Sequence, residues 1–171
     1  MKKNIQLMKL SQEEINIKIE EFLTKSSFHV KDKKVTIIPY LYKVEDVARK
    51  INIHFICKNI TNAFLPGKPD VYRIQISTIN DIFVYTNKNE TMLLCGLCLY
   101  KDKWLLVVWN AYRYLNHKTN RSCYVNESTL EDCYNSGYCF SRDFSQESWI
   151  CDIDHFNLLI RDYIIFTYCG E

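Results

Sequence analysis

Two stretches of this chain carry side chains suited to reading a nucleic acid. "VYRIQIS" sets Arg73, Gln75 and Ser77 at alternate positions, so on a strand all three leave the same face. Arginine bridges guanine O6 and N7, and glutamine or asparagine pairs in the same bidentate way with adenine N6 and N7. "WNAYRYLNHKTNRSCYV", Trp109 to Val125, adds Arg113, Asn116, His117, Lys118, Asn120, Arg121 and Ser122 and contains no acid. Its Tyr112 and Tyr114 offer stacking faces, or apolar contact with the methyl of thymine or methylcytosine. Lys68, just ahead of the first stretch, suits a phosphate. The plainer account is solvent: the outward side of an edge strand for Arg73 and Gln75, and a solvated loop with its tyrosines packed at the base for the rest.

Charge distribution weighs on the same question. The net charge of +2 says little. From Glu127 onward, however, nine acidic residues face only Arg142 and Arg161, whereas residues 1–126 hold 20 basic and 11 acidic residues. Between Asp46 and Asp81 the only acid is Asp70, against Arg49, Lys50, Lys58, Lys68 and Arg73. Between Asp102 and Glu127 there is none, against Lys103, Arg113, Lys118 and Arg121. Clustered cations with neighbouring aromatics and amides are the footprint of phosphate contacts combined with base-edge contacts.

Catalytic chemistry finds little support. "KPDVYRIQIS" has an acid at Asp70, but a metal-dependent nuclease needs a second carboxylate followed two residues later by lysine, and the strand offers Gln75 and Ser77 instead. His54, His117 and His155 have no fixed partner for a Cys–His hydrolase. "CGLC", Cys95 to Cys98, is the one CxxC. It lies in a strand-like run rather than at a helix start, and zinc would have to draw further ligands from Cys123, Cys133 or Cys139. The expectation is no cofactor and no enzymatic activity.

The elements that must position these residues follow from composition and pattern. A length of 171 residues with 47% apolar and 14% aromatic residues fits one domain, 1–171, with an ample core. No apolar run spans a bilayer and no signal peptide is recognisable at the start, so the expected location is the cytoplasm, with the eight cysteines reduced. "SQEEINIKIEEFLTKS" reads as a helix with Ser11 and Glu14 in a capping box. "FHVKDKKVTIIPYLY" reads as a hairpin around "KDKK", and "EDVARK" as a helical turn. "INIHFICKNI", "VYRIQIS", "DIFVYT", "TMLLCGLCLY" and "KWLLVVW" read as strands. "STLEDCYNSG" predicts a short helix, with Ser128 and Glu131 in capping-box spacing and Gly137 as its stop. Two more strands, "YCFSRD" and "SWICDI", precede a C-terminal helix. The expected fold is α+β, mostly antiparallel, with eight or nine short strands in a barrel-like or strongly bent sheet and helices at both ends.

The segments "YRIQIS", "LLCGLCLYKDKWLLVVWNAYRY", "SCYVNESTLEDCYNSGYCF" and "SWICDIDHFNLLIRDYI" resemble the DNA-specificity domains of McrBC-like and LlaJI-like restriction endonucleases. Some of these share the DNA-binding pseudobarrel of plant transcription factors and the EcoRII effector domain. The resemblance covers roughly residues 71–166. It implies a wrench-like domain whose two arms enter the major groove of double-stranded DNA, one of them carrying "NAYRYLNHKTNRS". It further implies a targeting role in a restriction system, with cutting left to a separate nuclease or motor. Two other classes compete: an immunity or adaptor protein binding a charged partner, and an RNA-binding barrel using Tyr112, Tyr114 and Tyr124 as stacking platforms.

Overall fold

The computed structural model describes residues 5–34, 40–76, 90–114 and 120–169. Helix α1 (Gln12–Lys25) begins where its capping box dictates: Ser11 Oγ accepts from the Glu14 N–H at 3.2 Å, and the Glu14 carboxylate accepts from the Ser11 N–H at 2.7 Å. The strands are β1 (His29–Lys34), β2 (Leu41–Asp46), β3 (Ile51–Asn59), β4 (Thr61–Asn62), β5 (Val71–Ile76), β6 (Glu90–Tyr100), β7 (Lys103–Trp109), β8 (Arg121–Asn126), β9 (Tyr138–Ser141) and β10 (Ser148–Cys151). Helix α2 (Glu127–Ser136) lies between β8 and β9, and α3 (Phe156–Cys169) follows β10.

Seven strands form one sheet in the order β1-β2-β3-β6-β7-β10-β9, and β4-β5-β8 form a second, shorter sheet. Among the described residues every pairing is antiparallel except β3 with β6. That exception has a topological cause. After β3 the chain leaves the large sheet to build the β4–β5 hairpin in the small one, and it returns beside β3 in the same direction, as a crossover requires.

The molecule therefore has three layers. Helices α1 and α3 bury Ile19, Phe22, Leu159 and Tyr163 against one face of the large sheet, with Phe55, Cys95 and Val108. The small sheet and α2 cover the other face, where Tyr72, Ile74, Cys123, Val125 and Leu130 meet Ile56, Leu94, Cys98 and Trp109. Strand β6, covered on both sides, is apolar almost throughout rather than alternating. Gly96 in its middle lets the layers meet: a Cβ there would stand 2.6 Å from Ile60 Cγ1 and 3.0 Å from Ile74 Cγ2.

Several expectations are corrected. The described strands close no barrel, so the barrel-like sheet expected from the strand pattern, and the pseudobarrel of the resemblance, are not found. The large sheet is open, ending at β1 and β9, and the small one lies over it as a separate layer. "KDKK" belongs to β1 rather than to a turn, because Asp32, Lys33 and Lys34 pair with Lys43, Tyr42 and Leu41. "EDVARK" is the end of β2 followed by a turn, not a helix. Ser128 and Glu131 do not cap α2, whose N-cap is Asn126; Glu131 instead accepts from Tyr100 Oη at 2.6 Å and Lys101 Nζ at 2.7 Å. Gly137 does stop that helix, in the left-handed conformation with φ of 85°. Ten strands are present among the described residues. The expected strand "DIFVYT" lies outside them.

Candidate nucleic-acid interface

The two acid-poor windows become hydrogen-bonded neighbours. Strand β5 comes from the first and β8 from the second, and they pair antiparallel with Arg73 opposite Tyr124 and Gln75 opposite Ser122. Strand alternation does the sorting: Tyr72, Ile74, Ile76, Cys123 and Val125 are buried toward the large sheet, so Arg73, Gln75, Ser122 and Tyr124 share the outer face. Thr61 of β4 joins them as the other neighbour of Arg73. Arg73 Nη1 stands 3.4 Å from Ser122 Oγ, a long and weak contact that leaves the guanidinium's remaining donors for a ligand. Below this face Lys58 Nζ donates to the Gln75 carbonyl, and burial holds the lysine's pKa below its ordinary value.

An aromatic strip extends the face. The Phe144 ring lies 5.0 Å from that of Tyr124 at an angle of 42°, and Lys68 Nζ sits 5.2 Å above Phe144. Phe144 and Ser145 both adopt left-handed backbone, with φ of 56° and 59°. That conformation costs about 1–2 kcal/mol per non-glycine residue, so neighbouring contacts must fix it. They do so through β8, whose outer edge would otherwise be unpaired. The Gln146 side-chain amide accepts from the Tyr124 N–H at 2.8 Å and donates to the Ser122 carbonyl at 3.1 Å, imitating a strand's peptide group. Asp143 Oδ2 accepts from the Asn126 N–H at 2.9 Å and from Thr129 Oγ1 at 2.7 Å, and Trp109 Nε1 donates to the Tyr124 carbonyl at 3.0 Å.

The residues singled out in the sequence fall into distinct places. Lys68, Gln75, Asn120 and Arg121 are exposed, while Arg73 and Ser122 are half-buried. Tyr114, only 3% exposed, packs in the core beside Cys123, and burial pushes its phenol well above the ordinary range. It anchors the second window and offers no stacking face. Tyr112 turns toward the start of β6, its hydroxyl 3.4 Å from Thr91 Oγ1. Arg113 bridges to the turn after β9: its Nη2 is 2.5 Å from Glu147 Oε1, on a carboxylate side chain only 7% exposed. Ser77, Asn116, His117 and Lys118 lie outside the described residues.

Phe144 and Gln146 escaped sequence reasoning because nothing local marks them; each acquires its place only when the turn after β9 docks on β8. Phe64, exposed in the loop between β4 and β5, escaped as well, although the turn sequence "LPGKP" beside it was a signal.

The CxxC pair is not placed to chelate. Three residues apart on a strand, Cys95 and Cys98 point to opposite faces, one toward the helices and the other toward the small sheet. Burial pushes the Cys98 thiol up to about 12 and that of Cys95 higher, the reverse of an activated nucleophile. Among the described residues no group of three or more histidine, cysteine or carboxylate side chains is placed to hold a metal ion. Nor is any helix among them long and apolar enough to cross a membrane.

An α+β domain that stacks a short cationic, aromatic sheet on a larger mixed sheet is the class this geometry defines. Residues 51–159 match the Methylase-associated X1 family, and the chain belongs to that family, which is associated with restriction-modification systems. The matched segment runs from β3 into α3 and includes the whole small sheet. No curated protein and no solved structure matches the chain.

Proposed function

We propose that this domain binds duplex DNA through the outer face of the small sheet and serves as the targeting module of a restriction-modification system, reading base sequence or base modification. The observation that carries the reading is the register that sets Arg73 and Gln75 of one acid-poor window opposite Tyr124 and Ser122 of the other. A major groove about 12 Å wide admits a two-stranded ribbon, whose strands lie about 4.8 Å apart. In that pose Arg73 and Gln75 reach base edges, Ser122 and Asn120 extend the contact along β8, Arg121 reaches a phosphate from the rim at the start of that strand rather than from its outer face, and Lys68 meets another. Membership in a methylase-associated family supports a DNA substrate, and the likeness to McrBC-like and LlaJI-like specificity domains supports a non-catalytic role in the cytoplasm. Strand cutting or methyl transfer then belongs to another domain or subunit.

The test is a mobility shift with a randomised duplex pool at moderate salt, run in parallel with a methylated pool, followed by sequencing of the retarded DNA. An enriched motif that weakens in Arg73→Ala and Gln75→Ala is the expected result. Absence of any shift at low salt overturns the reading and leaves a charged protein partner as the better one.

A further inference from the structure

The most exposed large apolar side chain among the described residues is Phe64, with 85% of its surface open to solvent. It occupies the loop that joins β4 to β5, at one end of the proposed DNA-facing sheet. Nothing about its own packing explains its position. Its backbone is left-handed, with φ of 54°, an unfavourable conformation for a residue with a bulky side chain.

The loop holds that conformation rigidly. Ala63 donates to the Val71 carbonyl at 2.9 Å, closing the hairpin immediately before Phe64. Lys68 donates to the Leu65 carbonyl at 3.0 Å across Pro66 and Gly67, and Gly67 has φ of 71°. This is a turn of the Pro-Gly kind, which needs positive φ at its third residue. Pro69 then restricts Lys68 as well. With two prolines and two backbone bonds, the tip loses little conformational freedom on binding.

Chemistry points the ring toward stacked bases. Lys68 stands four residues on, and the Lys68–Phe144–Tyr124 strip leads back to Arg73. An apolar side chain held out on a stiff loop, here with Lys68 nearby, is the kind of wedge that inserts between base steps and kinks a duplex. We propose that Phe64 is such a wedge, entering the base stack beside the site read by Arg73 and Gln75; this rests on the DNA-binding reading above. Thr61 pairs with Arg73, and Phe64 is three residues further on.

The experiment compares two short mixed-sequence duplexes at low salt, one fully paired and one with a single central mismatch, each with 2-aminopurine beside the central step. Wild-type chain, Phe64→Ala and Phe64→Leu are titrated against both. A wedge gains from a step that is already weakly stacked, so wild type should prefer the mismatched duplex by about tenfold and brighten the 2-aminopurine. Phe64→Ala should bind both duplexes alike without brightening, and Phe64→Leu should retain part of both effects. Equal behaviour of wild type and Phe64→Ala on both duplexes overturns the wedge while leaving the DNA-binding reading intact. Failure of wild type to bind either duplex overturns both.

Discussion

The Gln146 side chain is bound to Tyr124 as a strand would be: the Tyr124 N–H donates to Gln146 Oε1 at 2.8 Å, and Gln146 Nε2 returns a bond to the Ser122 carbonyl at 3.1 Å. One amide thus closes the open edge of β8, the strand that carries half of the candidate interface. Two such bonds contribute roughly 1–3 kcal/mol together. Gln146→Ala should lower stability by about that amount and speed hydrogen exchange at the Tyr124 amide. Unchanged exchange there would show that the edge is held by other contacts.

Arg73 and Lys68 should separate specificity from attraction. The small sheet's core lies on the far side of Arg73, so Arg73→Ala should change stability by less than about 0.5 kcal/mol. It should weaken binding to an enriched duplex by about 1–3 kcal/mol and relax preference at one base position. Lys68→Ala should weaken all duplexes alike and reduce the salt dependence by about one counterion. Equal effects of the two changes on matched and scrambled duplexes would argue against base reading by Arg73.

Arg113 is a different case, because its guanidinium meets the carboxylate of Glu147, which is nearly inaccessible to solvent. Removing the cation leaves a buried charge without its counterion. Arg113→Ala should therefore destabilise the fold by roughly 1–3 kcal/mol, between the limits for exposed and buried pairs. Denaturant unfolding of Arg113→Ala against the double variant Arg113→Ala/Glu147→Gln is the measurement. Recovery of most of the loss in the double variant is the expected outcome; without it the ion pair is not the cause. A DNA-binding defect in Arg113→Ala alone would be uninformative about contact, and Arg121, exposed at the start of β8, is the cleaner probe.

Local signals in the sequence translated well where the forces are local. The Ser11–Glu14 capping box and the left-handed stop at Gly137 both rest on interactions within a few residues. Partnership between distant strands was not legible. Alternation showed that Arg73 and Gln75 share a face, but nothing in "YRIQIS" says that Ser122 and Tyr124 lie beside them or that β5 leaves the main sheet. Tyr114 shows the same limit from the other side: an aromatic in a polar loop sequence reads as a contact residue until the core that receives it is known. Spacing misled at "CGLC", since the chelating reading of CxxC presumes a turn or helix start, while a strand sends the two thiols apart.

His54 gives a pH dependence of defined sign. Burial favours its neutral form, against the opposing pull of Glu90 at 3.5 Å, and Lys43 and Lys34 add to the lowering, so its pKa lies below the ordinary value. As pH falls through about 6.5, the unfolded chain takes up this proton before the native chain does. This contribution to stability is thus complete above that pH and declines below it. His54→Gln should flatten that part of the melting-temperature profile; an unaltered profile would assign the acid sensitivity to other groups.

Gly96 decides how closely the candidate interface is seated on the main sheet. A Cβ at this position would press on Ile60 at 2.6 Å and Ile74 at 3.0 Å, and Ile74 lies on β5 between Arg73 and Gln75. These neighbours are interior side chains in a close-packed core, where forced overpacking costs about 1–3 kcal/mol. Gly96→Ala should therefore do more than destabilise. By displacing β5 it should also weaken duplex binding, although residue 96 is itself buried beneath the small sheet. Gly67→Ala is the matched control for the position of β5, though not for binding, because its loop carries Phe64 and Lys68. Its φ of 71° strains any side chain, but the space around it is open, so its effect stays within the loop. Chemical-shift changes at Arg73 and Gln75 in Gly96→Ala, absent in Gly67→Ala, would establish that the binding face is set by the layer beneath it. Equal shifts in the two variants would show instead that β5 keeps its position independently of Gly96.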